Sequence, residues 1–401
     1  MLSIGKKEPG IVFTPLDYGV RYGVAVSTGI STRLSLDLAP VAYILSSLWG
    51  GSVTGAVSIN GALYATTDHD LYATQYNWGS GEIDPFTLLA SLPTRLIGSL
   101  SMGAEWIPPA ASAGYFSPTP WLDTDKGIVP FKLQTGGLDT AFASGAGIRK
   151  VARSAGLVDP GKPTVQVPVY IRNGGFGGVI APSGSPAVWA DADLGEIPGG
   201  SAVTDLISTT GFAYMAAGSG SLRIPSSAIA SGMTPQGLVA ASAPFGAGLP
   251  GAPILSLAYA PDGGASTVLY MGTSNGAYAA VLDELSPQVI GAPRGPLAGT
   301  AGKKIRAIRA YEYRDYTATH DGSFTFLALL TDTDILILEV ENSSGASRFM
   351  TVLTVPSGLP ADVPEELNDF SWFDANSTDI YLLIAGRNGL VVYPAGTYNP
   401  G

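Results

Sequence analysis

Apolar residues along this chain fall in short runs, rich in β-branched and aromatic side chains and bounded by Gly, Asn, Asp and Ser. Runs of that kind read as strands. One unit recurs: an apolar strand, a tight polar turn, a second apolar strand. Leu63–Ala65 and Leu71–Tyr76 flank residues 67–70. Tyr115–Trp121 and Ile128–Leu133 flank 123–127, and Val167–Ile171 and Val179–Ala181 flank 173–178. Phe212–Ala216 and Leu222–Ile224 flank 218–221, and Val268–Met271 and Ala277–Leu282 flank 273–276. Phe324–Leu330 and Ile335–Val340 flank 331–334, and Ile380–Ala385 and Leu390–Tyr393 flank 386–389. Convincing helical periodicity is scarce, the best candidate being Gly147–Leu157.

The seven turns recur about every 53 residues, close to the period of a four-stranded propeller blade. Ile254–Ala260, Ile305–Tyr313 and Phe370–Phe373 supply preceding strands, and Gln288–Ile290 and Phe349–Val355 supply following ones. The last unit has only Ala395–Gly401 after it, while Gly10–Leu16 lacks a partner. The expectation is a single all-β domain over 1–401, a seven-bladed β-propeller whose last blade is closed by the N-terminal strand 10–16. Closure would remove an exposed edge. Strand cores such as Phe324–Leu330 and Asp334–Val340 are apolar on both faces. A sheet packed between two others has that pattern. An outer-membrane barrel, with a wet interior, does not; two stacked β-sandwiches are the other rival.

Leu269–Leu282 and Tyr381–Tyr393 resemble the hairpin of non-WD propellers such as the two-component-regulator and YVTN-like groups. That resemblance implies the superfamily and no particular function, since propellers host binding proteins and several enzyme classes. Thr319–Phe326 is similar to the sialidase Asp box, with Thr319, Ser323 and Phe326 departing from its Ser, Gly and Trp positions. The resemblance implies a structural turn there, and a plain Asp-Gly turn at Asp321-Gly322 reads the same residues.

Composition narrows the classes. Lys and Arg total 21 against 32 Asp and Glu, a net charge of −11, so no basic surface for nucleic acid is expected. There is no cysteine and there are only two histidines, His69 and His320, which excludes thiol chemistry and multi-His metal centres. The longest uncharged stretch, residues 38–67, is broken by Gly and Asn and reads as strands and turns rather than a transmembrane helix. Few Lys, abundant Ser, Thr and Gly and the absence of cysteine point to an extracytoplasmic protein, periplasmic, secreted or surface-anchored with a leader removed, with a cytoplasmic protein as the alternative.

The candidate ligand-binding residues are those of an acidic turn face: Asp68, His69, Asp70, Asp123, Asp125, Asp332 and Asp334, with Arg387 as its cation. Paired carboxylates could hold Ca²⁺, but Asp also stabilises tight turns through its own side chain, and no cofactor or metal is expected. His69 between two carboxylates could serve as a base or stand exposed in its turn. Asn173–Gly178 lacks the Lys and helix of a phosphate loop and reads as a wide hairpin turn. Glycosidase chemistry needs two flanking carboxylates; Asp205, Asn368 and Asp369, near the starts of innermost strands, are the candidates. The sequence reads as a non-catalytic binding or scaffold propeller for a protein or glycan partner. The alternative is a propeller glycan hydrolase or lyase with its site in a central funnel.

Overall fold

The computed structural model describes the strands named below. Side chains are described at residues 53–56, 62–75, 84–96, 121–129, 131, 170–171, 203–207, 209, 212–216, 222–225, 228, 237, 240–245, 253–259, 268–281, 292–311, 325–340, 370–372, 381–386 and 390. The chain divides into two compact units, residues 1–100 with 353–401, and residues 101–352.

In the first unit, β1 (Ile4–Gly5) and β2 (Val12–Phe13) pair only with each other. The strands β3 (Ala42–Leu45), β4 (Gly55–Ile59), β5 (Ala62–Thr66), β6 (Asp70–Asn77), β7 (Glu82–Ile83) and β8 (Thr87–Ser91) follow. β4, β5 and β6 form an antiparallel meander, and β7 and β8 both add to the outer side of β6. From the C-terminal end, β28 (Leu367–Asp374), β29 (Asp379–Gly386) and β30 (Gly389–Thr397) form a second meander. Its fourth strand is β3, with Ala42 opposite Val392 and Leu45 opposite Gly389. The segment expected in that place, 10–16, is not the one used: its Val12–Phe13 pairs with Ile4–Gly5. β3 carries four consecutive residues, Ala-Tyr-Ile-Leu, that match the apolar register of β30. The Pro15 after Phe13 would lack a ladder amide.

In the second unit five sheets run in chain order, built of antiparallel meanders. They are β9 (Ser101–Ile107), β10 (Tyr115–Thr124), β11 (Gly127–Lys132) and β12 (Gly137–Leu138); then β13 (Ile148–Leu157), β14 (Val165–Arg172), β15 (Gly175–Ser183) and β16 (Val188–Asp193). Next come β17 (Val203–Ser208), β18 (Phe212–Ala217), β19 (Leu222–Pro225) and β20 (Ala243–Pro244). A fifth sheet, β24 (Ala307–Thr317), β25 (His320–Leu330), β26 (Ile335–Glu341) and β27 (Ser347–Leu353), follows a three-stranded one of β21 (Ile254–Pro261), β22 (Ser266–Thr273) and β23 (Gly276–Asp283). The first strands of consecutive sheets lie side by side: β9 by β13, β13 by β17, β17 by β21, β21 by β24, and in the first unit β28 by β4. Meanders packed face to face through their first strands are propeller-type sheets.

Alternation explains how they pack. On β22, Val268 and Tyr270 join the core shared with β24–β26, which includes Ile308, Leu327, Leu329, Leu336 and Leu338. Leu269 and Met271 point the other way, into the core with Phe212, Tyr214, Ala216 and Phe245. A strand buried on both faces is apolar at every position. Tyr214 and Phe245 meet edge-on at 5.6 Å. Tyr270 and Leu269 are both fully buried.

Three local expectations need correction. The helix candidate 147–157 is strand β13, paired with β14 from Ile148–Arg172 to Leu157–Val165; sheet pairing overrides its modest helix propensity. The wide turn 173–178 is tight, because Arg172 already pairs with Gly175 and β15 begins there. Asp321 and Gly322 are not a turn either. They sit within β25 opposite Tyr316 and Asp315, carried into the ladder by two eleven-residue strands. Gln288–Ile290 lies outside the described residues; besides β22, β23 meets Arg294, which bridges to Ala279.

Candidate functional site

Four of the turns between second and third strands are built on threonine. In 331–334, the buried Thr331 hydroxyl accepts the amides of Thr333 at 3.1 Å and Asp334 at 2.8 Å and donates to the Asp334 carbonyl at 3.1 Å. Thr273 repeats this, accepting from the Asn275 amide at 3.0 Å and donating to the Gly276 carbonyl at 2.9 Å. Thr124 accepts from Lys126 N at 3.2 Å and donates to Gly127 O at 2.7 Å, and Thr67 accepts from Asp70 N at 3.2 Å. All four threonines are buried. Thr, and not the Asp expected from the turn sequences, does the stapling. A hydroxyl donates and accepts at once, which a carboxylate cannot, so Thr closes the turn and leaves Asp to face outward.

The Asp residues have other partners. Asp68 accepts from Arg95 Nε at 3.2 Å. Asp70 accepts from Ser91 Oγ at 2.6 Å and from Tyr72 Oη at 3.4 Å. Burial, reinforced by the neighbouring Asp70 charge and that hydrogen bond, pushes the Tyr72 phenol up to about 12. Burial also raises the Tyr64 phenol. His69 is exposed, and its Nδ1 lies 3.2 Å from the Thr94 carbonyl, a contact that requires the proton on Nδ1. In the second unit, Lys304 Nζ lies 3.3 Å from Asp332 and Lys303 Nζ 3.6 Å from Asp334. Asp125 is exposed in its turn, whereas Asp123 is buried within β10, opposite Ile128. Arg387 lies outside the described residues. Arg95, Lys303 and Lys304 are turn-facing cations that the sequence reading missed, because each comes from a connection distant in sequence.

Two of the turns are clasped by the connection that leaves their sheet. Over 67–70, Leu92 N–H donates to His69 O at 2.8 Å and Leu96 N–H to Asp68 O at 2.7 Å. Over 273–276, Leu297 N–H donates to Ala277 O at 2.8 Å and Ala277 N–H donates to the buried Thr300 hydroxyl at 3.1 Å. Gly276, at φ +130°, sits against Thr300 and Pro296, so a side chain there would meet both strain and a wall.

Asp205, a candidate carboxylate of the sequence reading, is buried at 3% exposure. Its Oδ1 accepts the Leu206 amide at 2.7 Å and its Oδ2 the Leu257 amide of the next sheet at 2.8 Å. It stands just after a bulge between Val203 and Asp205. Matching irregularities occur at Ile148/Lys150, Ile254/Ser256 and Leu367/Asp369. Thr204, in the bulge, donates to the Ile254 carbonyl at 2.7 Å, and Ser256 to the Ile305 carbonyl at 3.4 Å. At β17 and β21 a polar side chain in or beside the bulge ties the first strand to its neighbour. Asp369 occupies the register position of Asp205. Among the described residues, no three His, Asp or Glu side chains converge to hold a metal ion, and no helix is long and apolar enough to cross a membrane.

No family model matches the chain, and no curated protein matches it. Among solved structures, the extracellular domain of BT4673 from B. thetaiotaomicron is similar over 85% of this chain at 10% identity, with a TM-score of 0.48. This chain spans only 38% of that one. The WD40 domain of Neurospora crassa Pan2 is similar over 88% of this chain and 92% of its own, at 8% identity and a TM-score of 0.47. The N-terminal domain of Nup159 is similar over 99% and 98%, at 8% identity and a TM-score of 0.47.

Proposed function

We propose that this chain is a non-catalytic, extracytoplasmic binding propeller for a protein or glycan partner. In this reading it has seven blades and is closed into a ring by β3. The observation that carries the reading is the use of Asp205. Both oxygens of that buried carboxylate hold backbone amides of two neighbouring sheets, so it serves the scaffold rather than a reacting bond. The turn carboxylate Asp68 in the first unit faces Arg95, and Asp332 and Asp334 in the second face Lys304 and Lys303, which supports exposed turns that carry paired charges in each unit. The pairing of β3 with β30 joins sequence-distant ends of the chain in one sheet, as a closed ring requires. The absence of cysteine and the low share of charged residues, 13%, support the extracytoplasmic assignment.

The test is incubation with panels of oligosaccharides and protein ligands, following both binding isotherms and product chromatography. Saturable binding without product is expected. Time-dependent product that disappears in Asp369→Asn would overturn the reading in favour of a hydrolase or lyase.

A further inference from the structure

We propose that residues 297–305 are a strap that latches the β21–β23 sheet to the β24–β27 sheet with two unequal grips, so that ionic strength loosens one grip before the other.

The strong grip is buried. Leu297 and Ile305 belong to the core between the two sheets. Thr300, fully buried, donates to the Leu297 carbonyl at 2.8 Å while accepting the Ala277 amide at 3.1 Å. Ile305 N–H donates to the Thr273 carbonyl at 2.8 Å. The strap folds back at Gly299 (φ +74°) and Gly302 (φ +73°). An added Cβ at Gly302 would meet nothing within 4 Å, so glycine is needed there for conformation and not for space.

The weak grip is at the rim. Beyond Gly302, whose N–H reaches Asn275 O at only 3.4 Å, the strap holds the next sheet's turn through Lys303–Asp334 and Lys304–Asp332. Their side chains are 34–57% exposed. That turn is itself fixed by Thr331, so both carboxylates are presented from a rigid base. Exposed pairs weaken as the screening length falls from about 10 Å at 0.1 M salt to about 3 Å at 1 M. Buried hydrogen bonds do not respond to salt in that way. The segment Ala301–Lys304, between the buried anchors Thr300 and Ile305, is therefore the part that salt releases, and with it the Lys303 N–H bond to Thr300 O at 3.0 Å.

Hydrogen–deuterium exchange on the full chain tests this at about 0.1 M and about 1 M salt. The amides of Gly302 and Lys303 should exchange several-fold faster at high salt, while that of Ala277 stays protected. Lys303→Gln/Lys304→Gln should exchange fast at both salt concentrations. The charge swap Lys304→Asp/Asp332→Lys should restore slow exchange at low salt. Exchange at Gly302 and Lys303 that ignores salt, a salt response that survives in the double Gln variant, or deprotection of Ala277 in step with the strap would each overturn the proposal.

Discussion

Single hydroxyls carry more of this architecture than the charges that catch the eye. Thr331 closes its turn with three hydrogen bonds while buried. Removing the hydroxyl in Thr331→Val takes the acceptor from the Thr333 and Asp334 amides, while the Asp334 carbonyl keeps the Thr331 N–H at 2.8 Å; the cost should be about 1–3 kcal/mol. Asp332→Ala deletes only an exposed pair and should stay within about 0.5 kcal/mol of wild type. Urea unfolding of the two variants checks the contrast; equal losses would contradict the threonine account. Asp205→Ala strips acceptors from two buried amides and should lower stability by about 1–3 kcal/mol. Tyr72 makes a prediction at alkaline pH. Its folded pKa, about 12, lies above the ordinary phenol value near 10. The folded state thus holds the proton more tightly. The associated stability is complete below about pH 10 and lost as pH rises through about 12. Denaturation midpoints at about pH 9 and about pH 11 should fall further in wild type than in Tyr72→Phe.

Elements were legible in the sequence wherever burial on both faces made the pattern unmistakable. Phe326, Leu327, Ala328 and Leu329 are each at most 1% exposed, and β25 and β26 stand where their apolar runs place them. The seven turns carried the period because tight reversals need Gly, Asn, Asp or Thr at fixed offsets. What escaped was set by contacts between distant residues. The sequence of β13 has no strong alternation, and only its partner β14 makes it a strand. The cations that meet the turn carboxylates, and the Leu257 amide that meets Asp205, come from other segments. The repeated Thr67, Thr124, Thr273 and Thr331 was the one site signal open to a closer look at the turns. Close approach between elements gives a further prediction. A methyl at Gly272 on β22 would collide with the Ser256 hydroxyl and come within 2.8 Å of Ile305 Cγ2. Gly272→Ala should therefore cost about 1–3 kcal/mol, while the same change at the roomy Gly302 acts through backbone conformation alone. Melting curves of the two variants, each paired with Ser256→Ala, separate the causes: the Gly272 defect should be relieved in part, with the Ile305 contact remaining, and the Gly302 defect not at all.

At the scale of the whole molecule, the account depends on how the two ends of the chain meet. In the proposed ring, each sheet keeps only short edges and the last sheet gains its fourth strand from an early segment. The strand paired there is β3, residues 42–45, rather than the earlier segment 10–16. The most direct measurement is disulfide trapping, which is clean because the chain has no cysteine of its own. Ala42→Cys/Val392→Cys places one thiol on each strand at opposed positions, and Val12→Cys/Val392→Cys tests the rival strand. Mild oxidation should convert the first variant to a single internally cross-linked, reducible species and leave the second with free thiols. Cross-linking of the second variant and not the first would contradict the closure by β3 and the ring built on it.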